Sequence, residues 1–191
     1  LGPVYGWQWR YYGKKYSKGG DDNGIDQIRY VIEELLKSNN SRRAILNAWN
    51  PLQLDEMALP PCHIMYNFYK NKEGLSCLMT MRSSDLFLGL PFNIASTALL
   101  THIIAKVLHL EVKDIAISIT DAHIYKEHVN VVNEQIKREI YENNCKLKIN
   151  KEVPNIDSNI NEKINWINNL EYEDFEFINY KSHNTIKAIM K

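Results

Sequence analysis

CHIMYNFYKNKEGLSCLMTMRSSDLFLGLPFNIAS, residues 62–96, is the stretch whose reading decides the fold class. Residues 62–69 alternate in the manner of a strand, with Cys62, Ile64, Tyr66 and Phe68 on one face. Residues 70–74 (KNKEG) read as a turn and 75–81 as the return strand, so a β-hairpin carries Cys62 at its start. Residues 83–91 then read as a loop, punctuated by Gly89 and Pro91. Asn93 stands just before a long, mostly apolar pattern over 94–110, which predicts a buried helix with Asn93 near its N-terminus.

Upstream of this stretch, the polar, Gly-rich segment 16–23 (YSKGGDDN) is a loop. Ile28, Val31, Ile32, Leu35 and Leu36 recur at helical spacing and predict a helix over 25–36, ended by 38–41. The short apolar run 44–49 reads as a strand. Downstream, 114–120 is a strand, and 125–140 reads as an amphipathic helix carrying Val129, Val132, Ile136 and Ile140. Segment 154–173 is Asn-rich and weakly patterned, and 175–180 reads as a last strand. Hairpins combined with two or three long helices indicate an α+β fold. No repeat or long linker divides the chain, so 1–191 is treated as one domain.

Composition narrows the function classes. The chain has 191 residues, 45% apolar and 24% charged, with no net formal charge. That balance lacks the basic face of a nucleic-acid binder. No apolar run reads as long enough to span a bilayer, so no membrane partner is expected. Three cysteines without repeat spacing argue against a disulfide framework and for a reducing, cytoplasmic compartment. The chain begins at Leu1, directly in a structured-looking segment, and so reads as a fragment.

Three clusters carry candidate chemistry. Cys62 lies in PPCH (60–63), where two prolines stiffen the approach to a strand; on position alone a buried apolar cysteine is the commoner case. Arg82, Ser83, Ser84 and Asp85 place guanidinium and hydroxyl donors after a strand, suited to a phosphate. Arg42 and Arg43 are a second phosphate candidate. In Asp121-Ala122-His123-Ile124-Tyr125, His123 and Tyr125 point the same way on extended backbone and could share a ligand such as a sugar hydroxyl. Metal-ligand spacing is absent, and no metal is inferred.

The combination and order of these elements resemble the thymidylate synthase family. The resemblance rests on Tyr5 in LGPVYGWQWR, Arg42-Arg43 in SRRAILNAWN, Cys62 in MALPPCH, the block RSSDLFLGLPFNIAS and the motif DAHIY, and it runs to the closing IKAIMK. It implies a sheet with hairpins packed against long helices, one sheet face forming a homodimer interface. It also implies conversion of dUMP to dTMP, with 5,10-methylenetetrahydrofolate as co-substrate, giving one carbon and a hydride and leaving dihydrofolate. In that scheme Cys62 adds to C6 of uracil and turns C5 into a nucleophile. A thiolate is the reactive form, and Arg82 is the local guanidinium. Arg82 and Ser83 match phosphate contacts, grouped here with Ser84 and Asp85 on the dUMP side; Arg42 and Arg43 match a pair supplied by the other subunit.

Asn93 matches the residue that reads the base, because an amide can accept from uracil N3–H and donate to O4, groups that cytosine inverts. His123 and Tyr125 match the deoxyribose contacts. Asp85 matches the carboxylate that orients the folate, with Leu59, Leu88, Gly89 and Phe92 lining its apolar part. Tyr5 and His63 match supporting residues.

The family pattern also has an N-terminal segment before LGPVYG, with another arginine, a glutamate and tryptophans, none of which maps onto this chain. Should the natural protein begin at Leu1, severe loss of activity is expected; a truncated sequence is the simpler explanation. Thr120 stands where a glycine is usual, and 155–166 looks like an insertion, expected as a surface loop or short helix. Two other readings stay open: a dCMP hydroxymethylase, against which Asn93 argues, and an inactive remnant that dimerises or binds RNA. Fusion to a dihydrofolate reductase domain is also left open.

Overall fold

The expected hairpin forms the middle of a four-stranded sheet. The computed structural model of the chain describes residues 1–16, 24–142 and 144–190. In chain order its helices are α1 (Tyr5–Tyr11), α2 (Gln27–Lys37), α3 (Gly89–Val107), α4 (Val129–Gln135) and α5 (Ile160–Asn168). Its strands are β1 (Ile45–Asn47), β2 (His63–Asn71), β3 (Gly74–Asp85), β4 (Val112–His123), β5 (Lys146–Ile149) and β6 (Phe175–Ile178). The sheet runs β1-β2-β3-β4, and β5 pairs with β6 in a separate two-stranded ribbon. The β1–β2 and β2–β3 pairs are antiparallel, whereas β3 and β4 are parallel with α3 as the crossover. Beyond Tyr16, the loop expected at 16–23 lies outside the described residues.

Gly74 makes the hairpin turn possible. Its φ is 139°, and a Cβ there would lie 2.5 Å from the Glu111 carbonyl oxygen. One sheet face then buries Leu46, Tyr66, Phe68, Cys77, Met79 and Met81, with Ile115, Ile117 and Ile119 partly covered. The helices α2 and α3 pack on the sheet. On α2 the stripe Ile28, Val31, Ile32 and Leu35 is buried, as its spacing predicts. The Asp26 carboxylate accepts the Arg29 N–H at 3.1 Å to cap this helix, and it also holds Arg10 of α1 through two bonds. Each fully buried aliphatic side chain in this layer contributes about 1.5–3 kcal/mol. The opposite sheet face is open, with Tyr69, Leu78 and Ala116 exposed.

A buried amide network ties α1 to the segment that leads to Cys62. Gln8 donates to the Pro3 carbonyl and to Gln53 Oε1 (2.8 and 2.9 Å), and Asn50 donates to Gln8 Oε1 and Gln53 Oε1 (3.1 and 3.0 Å). Gln27 of α2 donates to the Gln8 and Asn47 carbonyls. Every one of these amides finds partners, so their burial fixes geometry instead of costing stability.

Several expectations are corrected. Residues 83–85 are not a loop: pairing with β4 continues to Asp85, so Ser83, Ser84 and Asp85 close β3. Gly89 and Pro91 open α3, where an N–H has no intrahelical acceptor and the missing N–H of proline therefore costs nothing. Asn93 therefore lies inside α3, on its second turn. A bulge between His63 and Met65 shifts the alternation of β2, so His63, Tyr66 and Phe68 are buried while Ile64 is only partly covered. By length and composition α3 could cross a bilayer, contrary to the expectation of no such run, yet it buries Thr97, Thr101, Ile104, Ala105 and Val107 as the crossover helix. The helix expected over 125–140 shrinks to a 3₁₀ turn (Lys126–His128) and α4, and Val129, Ile136 and Ile140 are exposed.

Segment 155–166 contains more than surface. The Asn159 side chain caps α5, accepting from Asn161 and Glu162 N–H groups at 2.9 and 3.1 Å. Ile164 and Trp166 join the core, and the Trp166 indole N–H donates to the Glu152 carbonyl at 2.7 Å. Trp166→Ala is expected to cost about 3 kcal/mol in urea unfolding, as for other large aromatic truncations. A loss below about 0.5 kcal/mol, the level of a surface change, would mean that α5 does not belong to the core.

Candidate active site

The strand registers assemble the site. The Arg82 N–H donates to the Cys62 carbonyl at 2.9 Å across the hairpin. Across the parallel pair Ser83 faces Asp121 and Asp85 faces His123, and the Leu86 N–H closes on the His123 carbonyl at 2.9 Å. Cys62, Arg82, Ser83, Asp85, Asp121 and His123 thus meet at one end of the sheet. For β3 and β4 it is the carboxyl end, where α/β crossovers leave room for ligands.

Cys62 is held from two sides. Its N–H donates to the Tyr5 hydroxyl at 2.9 Å, which links α1 to the start of β2. Arg82 donates through Nη2 to the Pro60 carbonyl (2.9 Å) and through Nε to the Pro61 carbonyl (3.1 Å), and its guanidinium lies 5.9 Å from the centre of the Trp49 ring. The PPC segment is therefore clamped by the arginine, whose Nη1 has no hydrogen bond among the described residues. Tyr5 stacks on His63 at 4.2 Å, and His63 Nδ1 meets the Tyr66 hydroxyl at 2.9 Å. Burial lowers the His63 pKa to about 4, so its ring is neutral near pH 7. Burial also raises Tyr5, which stays a neutral phenol. Cys77 lies 2% exposed in the core, and burial pushes its thiol up to about 12, which removes it as a rival nucleophile. Cys62, by contrast, is partly exposed at the strand end.

Asp85 organises the start of α3. Its two carboxylate oxygens accept the N–H groups of Phe87 (3.0 Å) and Leu88 (3.3 Å). Gly89 lies between Asp85 and Asn93: a Cβ there would stand 3.6 Å from the Asp85 Cβ and 3.8 Å from Asn93 Oδ1. The Asn93 side-chain amide makes no hydrogen bond among the described residues. Phe92, one residue earlier, is 76% exposed, and Leu59 before the prolines is also exposed. Apolar groups thus stand uncovered on both segments that flank Cys62 and Asp85.

At the end of β4 the Asp121 carboxylate lies 3.0 Å from His123 Nδ1 and accepts more weakly from the Ser83 hydroxyl at 3.4 Å. The His123 and Tyr125 rings meet edge to face at 5.1 Å. Asp121 had no assigned role in the sequence reading, although its place two residues before His123 was a usable signal, since both lie on one strand face. Ser84 does not join Ser83 and Asp85. Alternation sends it, like Arg82, to the other side of β3, where the Ser84 hydroxyl is buried without a partner among the described residues. Arg42 and Arg43 are also apart. The neighbouring Ala44 carbonyl accepts from the Phe68 N–H, six residues along β2 from Cys62, a separation of roughly 20 Å at strand rise. They line a polar cavity of about 440 Å³ with Glu34, Lys37 and Ser41.

Comparison with known proteins gives one family. The family model described as thymidylate synthase matches residues 1–191. The chain is 46% identical over 188 residues to a thymidylate synthase of Staphylococcus haemolyticus, covering 98% of this chain and 54% of that protein. It is 45% identical over 202 aligned residues to a thymidylate synthase of Saccharomyces cerevisiae, covering 100% of this chain and 62% of that protein. It is 42% identical over 194 residues to a bifunctional dihydrofolate reductase-thymidylate synthase of Paramecium tetraurelia, covering 100% of this chain and 39% of that protein. The chain spans about half the length of these curated relatives.

Two outcomes follow from the geometry. Between pH 6.5 and about 4 the unfolded chain protonates a histidine that the folded chain keeps neutral. The stability carried by neutral His63 is complete above pH 6.5 and is lost as pH falls toward 4, by up to about 3 kcal/mol. Urea unfolding at stepped pH should show this slope in the parent chain and a flatter one in His63→Asn; identical slopes would remove the assignment. An ionised Asp121 only accepts, so His123 must carry its proton on Nδ1. Nitrogen NMR at pH 8 is expected to show that proton in the parent chain and its loss from Nδ1 in Asp121→Ala. An unchanged Nδ1–H signal would show that Asp121 does not set the tautomer.

Proposed function

The chain belongs to the thymidylate synthase family, and on that premise we propose that it supplies the nucleophile and most of the nucleotide site of an enzyme converting dUMP to dTMP. The observation that carries this reading is the meeting of Cys62, Arg82, Ser83, Asp85 and His123 at one strand end, through the backbone pairing of β2, β3 and β4. Cys62 adds to C6 of the uracil, and the bond makes C5 nucleophilic. C5 then takes the carbon unit of 5,10-methylenetetrahydrofolate. Loss of the C5 proton expels tetrahydrofolate from that carbon and leaves an exocyclic methylene. Hydride transfer from the tetrahydrofolate then completes the methyl group, leaves dihydrofolate, and releases the thiolate of Cys62.

Each remaining group has a matching task. The amide of Asn93, without a protein partner, accepts from N3–H and donates to O4. It thereby favours uracil over cytosine, because a mismatched buried polar pair discriminates strongly. Arg82 and Ser83 are the phosphate contacts that the family resemblance assigns, leaving opposite sides of β3, the arginine with Nη1 still to offer. His123 and Tyr125 take the deoxyribose hydroxyl, His123 offering its Nε2 edge. Asp85 orients the folate, with Leu59, Leu88, Gly89 and Phe92 as its apolar lining. Arg42 and Arg43 reach a phosphate only on a second copy of the chain, and the roughly 20 Å between them and Cys62 supports that assignment. The open sheet face with Tyr69 and Leu78 supports a homodimer joined there.

Cys62→Ala in the complete enzyme is expected to abolish turnover of dUMP while dUMP binding stays measurable by calorimetry. Near-normal turnover would sink the nucleophile assignment. With 5-fluoro-dUMP and the folate, mass spectrometry should find Cys62 covalently joined to the nucleotide, since fluorine cannot leave as the C5 proton does. A preference for dCMP in the turnover assay would overturn the substrate.

A further inference from the structure

His128 is used by none of the motifs above. It closes the 3₁₀ turn that follows Tyr125 and is 1% exposed. Its ring centre lies 5.4 Å from that of Phe87, which follows the Asp85 turn, and 5.6 Å from that of Tyr125. Nε2 stands 2.8 Å from the carbonyl oxygen of Ile189, 61 residues away in sequence. A carbonyl only accepts, so Nε2 carries the proton. Nδ1 is then a buried acceptor, with no partner among the described residues. A phenylalanine would fill the same space without an unsatisfied nitrogen. The histidine is explained by what its other nitrogen holds.

What it holds has little else to fix it. Residues 179–190 form no helix or strand. Among the described residues, no backbone N–H of 180–190 donates a backbone bond outside a regular element. Side chains do the anchoring instead. Arg138 donates to the Asn184 carbonyl at 2.6 Å, and His183 Nε2 meets the Glu139 carbonyl at 2.7 Å. Between these anchors and the start of α3 lies a cavity of about 420 Å³ lined by Phe87, Leu88, Arg138 and Ile186 among others.

We propose that His128 is a positioning residue, whose Nε2–H fixes the backbone at Ile189 while its ring fixes Tyr125 and Phe87, so that the segment 184–190 and the nucleotide end of the site are held as one unit. The link to catalysis rests on Tyr125 contacting the nucleotide, as proposed above. Two variants separate the parts: His128→Phe keeps the ring contacts and drops the hydrogen bond, whereas His128→Gln keeps an amide donor and drops the ring.

In the full chain, trypsin cleavage after Lys187, followed by mass spectrometry, is expected to speed up about tenfold in His128→Phe, the ratio for one lost hydrogen bond. KM for dUMP should rise by a similar factor with kcat less affected, and His128→Gln should restore the cleavage rate to within about threefold of the parent. Equal cleavage in the parent and His128→Phe would overturn the proposal, as would a glutamine variant no better than phenylalanine. Should His128→Phe fail to fold, nitrogen NMR of the parent decides: a protonated, slowly exchanging Nε2 supports the proposal and an unprotonated Nε2 refutes it. A parent chain that binds no dUMP would overturn the functional reading, while the cleavage and NMR readouts would still judge the anchor.

Discussion

The parallel pairing of β3 with β4 is the constraint on which the rest depends. A parallel pair needs a long crossover, and α3 is that crossover. Because the ladder keeps one register from Ser76 to Asp85, it carries polar residues to the sheet end, where apolar packing has stopped. A slip of β3 by one residue would exchange Ser83 for Ser84 and turn the Asp85 side chain away from His123. The apolar layer prevents it: Cys77, Met79 and Met81 on β3 and Ile115, Ile117 and Ile119 on β4 all share the covered face. The site is therefore registered by the core beneath it.

That division explains which parts of the fold were legible. The hairpin and α2 could be read because their apolar spacing reports burial directly. Residues 83–85 read as a loop because strand patterns assume an apolar face, and here the face of Ser83 and Asp85 is turned to a ligand end. The β2 alternation was misphased by one bulge, which no propensity marks. Segment 155–166 was expected as a surface loop or short helix and forms the short helix α5; its burial was not legible because its asparagines mask Ile164 and Trp166, which two elements far away in sequence cover. Val129, Ile136 and Ile140 gave the opposite error, a helical stripe with no neighbour to cover it.

Legibility of the site followed chemistry more than pattern. Cys62, Arg82, Asn93 and His123 each had a bland explanation alone, and only their joint order pointed to one reaction. The structure separates the cysteines on physical grounds, with Cys77 sealed in the core and Cys62 at a strand end beside an arginine. Asp121 and His128 were passed over because their work is indirect: one holds His123, the other holds Tyr125, Phe87 and a distant carbonyl. Groups that act through another side chain leave no mark in spacing.

The neutral surroundings of Cys62 add a last constraint. Tyr5 and His63 are kept uncharged by burial, so Arg82 is the fixed cation of this segment, and it already spends Nε and Nη2 on the proline carbonyls. One remaining nitrogen is a meagre cradle for a dianionic phosphate, which favours several donors at once. The needed charge exists in the chain at Arg42 and Arg43, but at the far end of β2. In the homodimer proposed above, a two-fold axis lying between the two open sheet faces and perpendicular to the strands would reverse strand direction between copies and bring the far end of one β2 toward the near end of the other. The shortage of local charge at Cys62 and the stranded arginine pair are thus answered by the same proposed assembly.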